Sequence, residues 1–62
     1  MTSPDVGSRI ELTATVTALG HTAHPGEQGT VQGTDPDGCL IVRMDNGRPA
    51  FPHRDEVEPV TT

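Results

Sequence analysis

A chain of 62 residues with 31% hydrophobic content has room for one small core, and its single cysteine, Cys39, excludes an internal disulfide to staple that core. Nine acidic residues against four arginines give a net charge of −5, the wrong sign for affinity built on phosphate neutralisation and the right one for a dispersed acidic domain. No run approaches the roughly 18 apolar residues of a membrane span, and Met1-Thr2-Ser3-Pro4-Asp5 lacks the basic and apolar regions of a signal peptide, so a reducing cytoplasmic setting away from membranes is expected.

Residues 1–6 read as an unstructured lead-in and 61–62 as a frayed end, leaving 7–60 as the domain. Over 9–18 the apolar residues Ile10, Leu12, Ala14, Val16 and Ala18 alternate with Arg9, Glu11, Thr13, Thr15 and Thr17. A strict period of two with β-branched residues predicts one continuous strand with a core face and a wet face. Residues 19–28 have no periodicity and hold Gly20, Pro25 and Gly26, which predicts a long loop, the natural place for a binding surface.

A second strand is expected over 29–34, followed by Asp35-Pro36-Asp37-Gly38, which has the residue preferences of a type I turn. With those four residues as the loop, Thr34 faces Cys39 and Val31 faces Val42. The strand 39–45 places Leu40, Val42 and Met44 on one face and ends at Asn46-Gly47, the strongest short hairpin signal. A two-residue turn there pairs Asp45 with Arg48, Met44 with Pro49, Arg43 with Ala50 and Val42 with Phe51, which puts the only aromatic residue on the core face. Pro49 must sit where its missing N–H is not needed, and Pro49 and Pro59 are suited to blunting sheet edges, so a monomer is expected. His53-Arg54-Asp55 reads as a single helical turn, and 57–60 as a last strand with Val57 inward.

Five short strands, a long first loop, two tight hairpins and a one-turn helix before the last strand predict an all-β fold: a small five-stranded SH3-like antiparallel barrel. The runs Pro25-Gly26-x-x-Gly29-Thr30-Val31 and Leu40-x-Val42-x-Met44-Asp45-Asn46-Gly47 resemble a family of small actinobacterial domains with no assigned activity, and similar Gly-x-Val turns occur in KOW-type barrels. In that family tryptophan tends to stand where this chain has Met44, so the resemblance implies the fold without an aromatic stacking platform. KOW-type barrels work as binding modules near nucleic acid, but with basic loops, whereas Glu27, Asp35, Asp37 and Asp45 occupy the loops and turns here.

Candidate chemistry is sparse. His21 and His24, with His53 or Cys39, have the residue types of a mixed metal site but only one paired spacing, so exposed loop histidines and no metal or cofactor are expected. Cys39 follows Asp37-Gly38 at a strand start, where a small semi-buried side chain is enough to explain it. Asp55, Glu56 and Glu58 spread over solvent, and a barrel this small offers no substrate pocket. The expectation is a non-enzyme. Its binding candidates are His21, His24 and Glu27 in the loop, Arg43 and Arg48 on the second hairpin with Asp45 paired to Arg48, and Arg54 nearby. Function by elimination is a protein-interaction module or small accessory subunit with an unidentified protein partner. The alternative is a KOW-like nucleic-acid or ribonucleoprotein contact through the three arginines.

Overall fold

The computed structural model describes residues 5–60. Seven short strands and one 3₁₀ turn follow in order: β1 (Arg9–Leu12), β2 (Val16–Ala18), β3 (His21–Ala23), β4 (Gln28–Thr34), β5 (Leu40–Met44), β6 (Pro49–Ala50), the 3₁₀ turn Arg54–Glu56 and β7 (Val57–Pro59). Five of them form an antiparallel sheet in the order β6-β5-β4-β1-β7, and β2 pairs only with β3. Among the described residues the sheet is open in its pairing, with β6 and β7 as its two edges.

The strand expected over 9–18 is broken at 13–15. Leu12 spends its backbone on the next turn, its N–H donating to Glu27 O and its carbonyl accepting from Gly26 N–H, while Thr13 N–H donates to Glu56 O. The inward alternation survives the break: Ile10, Leu12 and Val16 are buried, and Ala14 and Ala18 half-buried. The segment expected as a long loop over 19–28 instead holds the turn and second strand of the hairpin β2–β3, closed by Leu19-Gly20 with φ of +52° and +77°, the two left-handed residues of a type I′ turn. A type II turn follows, with Pro25 second, Gly26 third at φ +95°, and Glu27 N–H donating to His24 O at 3.2 Å.

Both later hairpins use three-residue loops. Gly38 N–H donates to Asp35 O and Gly47 N–H to Met44 O, each at 2.9 Å, with the glycines at φ +90° and +87°. This is a type I turn followed by a left-handed residue. In the first hairpin the loop is one residue shorter than the four expected, with Asp35 opposite Cys39, so Thr34 faces Leu40 and not Cys39; a bulge at Gln32 then restores the offset, and Val31 faces Val42 as expected. The second hairpin has no such compensation: Val42 faces Ala50 and Arg43 faces Pro49. Phe51 therefore leaves the core face to Ala50, which is buried, and is itself only half-buried.

The core is Ile10, Leu12, Val16, Val31, Leu40, Val42, Met44 and Ala50, with Ala23 and Val57 packed against it. Met44 faces inward as part of the core and offers no external stacking surface. At Gly29, between Ile10 and Met44, an added Cβ would lie 2.7 Å from both Arg43 O and Val42 Cγ1, so the sheet needs a residue without one there. Residues 5–8 form a turn against β4, with Ser8 N–H donating to Asp5 O and Gly7 N–H to Val31 O, where a lead-in without structure was expected through residue 6. The expectations for 1–4 and 61–62 lie outside the described residues.

Candidate functional site

The candidate side chains fall into three places. On the outer face of the five-stranded sheet, one row runs Arg9, Thr30, Arg43, Pro49 across β1, β4, β5 and β6. Arg9 grips Asp45 with both guanidinium branches, Nη1 to Oδ1 at 2.6 Å and Nη2 to Oδ2 at 2.8 Å, and also donates to Thr30 Oγ1 and Gln28 Oε1 at 3.3 Å. Gln28 Nε2 in turn donates to Glu11 Oε1. The fork holds the Asp45 carboxyl below the usual aspartate range, chiefly by hydrogen bonding, and raises Arg9 by the same contact. Asp45 was expected to pair across the strand with Arg48; the three-residue loop places Arg48 opposite Met44, and Asp45 turns over the sheet to Arg9. Arg43 is exposed on this face and makes no side-chain hydrogen bond among the described residues.

The second place is the joint between the β2–β3 hairpin and the β5–β6 turn. Arg48 lies against the imidazole of His21, its Nη1 3.0 Å from Nε2. Beneath them a cleft of about 20 Å³, room for roughly one water, is lined by Val16, Ala18, Ala23, Met44, Asn46 and Ala50 among others. Leu19 stands at the hairpin tip, 72% exposed. His24 and Glu27 sit at the hairpin's far end and are occupied structurally: Glu27 Oε2 accepts from His24 N–H at 2.6 Å across the type II turn.

The third place is at the other end of β5. Arg54 and His53 line an open groove of about 430 Å³ with the turn over 35–38 and Leu40. His53 Nδ1 is 4.0 Å from Asp55 Oδ2, and Asp35 Oδ1 accepts from Asp37 N–H. The structure thus brings His21 and Arg48 together and separates them, by the length of β5, from Arg54; the three arginines do not share one patch. In sequence Arg9 was only a wet-face strand residue and Leu19 only the start of a loop. Arg9 finds its partner 36 positions away, which no local pattern shows. Leu19-Gly20 does separate two short alternating runs, but leucine is a poor marker of a left-handed turn.

No histidine or carboxylate among the described residues is buried, and no buried side-chain polar atom lacks a partner. Among them no three His, Cys, Asp or Glu side chains are grouped as metal ligands, and no helix is long and apolar enough to cross a membrane. No protein-family model, curated protein or solved structure matches this chain.

Proposed function

We propose that this chain is a non-catalytic protein-interaction module of SH3-like architecture, acting as a cytoplasmic monomer through its β2–β3 hairpin. The sheet order β7-β1-β4-β5-β6, the hairpin inserted between its first two strands in sequence and the 3₁₀ turn before the last supply the elements of such a barrel. Kinship with the small actinobacterial domains is part of the same proposal, and the need for a bare α-carbon at Gly29 gives its glycine pattern a physical reason.

One observation carries the functional reading: β2 and β3 pair with no strand of the main sheet, and they present His21, Leu19 and Thr22 to solvent beside Arg48. A short projecting element on a rigid sheet is how small barrels present binding residues. No described carboxylate or histidine is buried, and the one shifted carboxyl, Asp45, is held by its ion pair with Arg9 and not by a desolvated pocket, which supports a non-catalytic role. The nucleic-acid alternative loses support from the dispersal of the arginines. Immobilised protein presented to native lysate tests both. Capture is expected to fall with Thr22→Glu and Arg48→Ala and to persist with Arg54→Ala. Capture indifferent to the hairpin substitutions would remove the hairpin reading. A captured species that is nucleic acid and is lost steeply between about 50 and 200 mM salt would favour the alternative.

A further inference from the structure

Leu19 is disfavoured twice by the folded chain. Its φ of +52° lies in the left-handed region, where a Cβ crowds the backbone and bulky residues are outliers. Its side chain is also 72% exposed. The first position of a type I′ turn is normally asparagine, aspartate or glycine, any of which would relax the backbone and remove the apolar surface. Among the described residues Leu19 joins neither the buried core nor the side chains packed against it. Strain held at an exposed apolar side chain points to a contact made outside the molecule.

Charge says what kind of contact. All nine carboxylates lie outside 12–26, and the titratable side chains within that stretch are His21 and His24 alone. Ala18 and His21 form the pair that closes the Leu19-Gly20 turn, and Arg48 lies on His21, so a guanidinium stands two residues from the tip. On a molecule of charge −5 the hairpin itself carries no carboxylate, and Asp45 in the adjoining β5–β6 turn is paired to Arg9, so an acidic protein can approach here with less repulsion than elsewhere.

We propose that Leu19 is the anchor by which the β2–β3 hairpin docks into an apolar socket on a partner protein, with carboxylates on the socket's rim meeting Arg48 and His21. The proposal rests on the hairpin being the interaction surface and adds the anchor and the partner's chemistry. Leucine supplies the buried contact, and the guanidinium, with donors left over from His21, orients the docking.

The test has two parts, one independent of any partner. Leu19→Asn, checked for an unchanged amide spectrum, should raise the Tm by about 5 °C as the turn relaxes; a lowered Tm would show that leucine serves the fold and would overturn the proposal. A photocrosslinker at the exposed position Thr22 of the full chain, in native lysate, should then label a protein at a leucine-sized apolar site containing Asp or Glu. Labelling should fall at least about tenfold with Leu19→Asn and about threefold with Arg48→Ala. Labelling unchanged by Leu19→Asn would leave the interaction module standing and remove the anchor, as would a labelled site without carboxylates. No labelling from Thr22 or from Thr17 would remove both the anchor and the hairpin reading.

Discussion

Asp45 shows how far the charge of a single residue here depends on the sheet. Its carboxyl is depressed because the Arg9 fork stabilises the ionised form, so the stabilisation is fully present above the unfolded aspartate pKa of about 3.9 and is lost as pH falls through the lower folded value. Asp45→Asn should therefore melt below the wild type at neutral pH, the two Tm values converging in acid below the ordinary aspartate range; both partners are half exposed, so added salt should narrow the gap as well. A Tm difference that persists at pH about 2 would show that the side chain matters for something other than this ion pair. Gly29 makes a different demand. A Cβ there meets a backbone oxygen that has nowhere to go, and Gly29→Ala should cost about 2–3 kcal/mol in denaturant unfolding, a large loss for so small a domain.

At the level of the elements, what could be read locally came through and what depended on a count of one residue did not. The period-two runs around Val31, Val42 and Leu12 identify the core faces, and the one-turn helix after His53 is where its Glu56 cap allows: Glu56 Oε1 accepts from His53 N–H at 2.8 Å. The Asn46-Gly47 dipeptide marks its hairpin but not the loop length, because Gly47 takes the left-handed place after a type I turn and Asn46 instead accepts from Arg48 N–H. That single position moved Phe51 off the core face and Arg48 away from Asp45. The edges follow the same logic. Arg43 with Pro49 and Ile10 with Pro59 are the pairs between the hydrogen-bonded ones, so each proline turns its missing N–H outward from an edge strand. β2 passes the β6 edge without pairing to it. Pro49→Val with Pro59→Val should restore both donors and produce concentration-dependent self-association in light scattering, while the wild type stays monodisperse.

For the molecule as a whole, β1 lies between β4 and β7, so the last strand covers one flank of a strand near the beginning. Val57 faces Leu12, and Val60 N–H donates to Arg9 O. A chain ended after Glu56 should lose cooperative thermal unfolding by circular dichroism, because Ile10 and Leu12 would be left beside water and no disulfide can compensate. The candidate surface was legible only as a region: residues 19–28 were marked out by their lack of period, while the hairpin that overlaps them, with its first strand at Val16–Ala18, needed the folded backbone to become visible. The same junction of β1 and β7 has a practical corollary. The chain comes into the sheet and departs from it on neighbouring rungs of one ladder, so a short bridge could fuse those two points and a new opening could be cut at Asn46-Gly47. Such a circularly permuted version would retain each of its strand partnerships, and for the same reason the intact unit could be spliced into an exposed loop of a host protein as a self-contained insert.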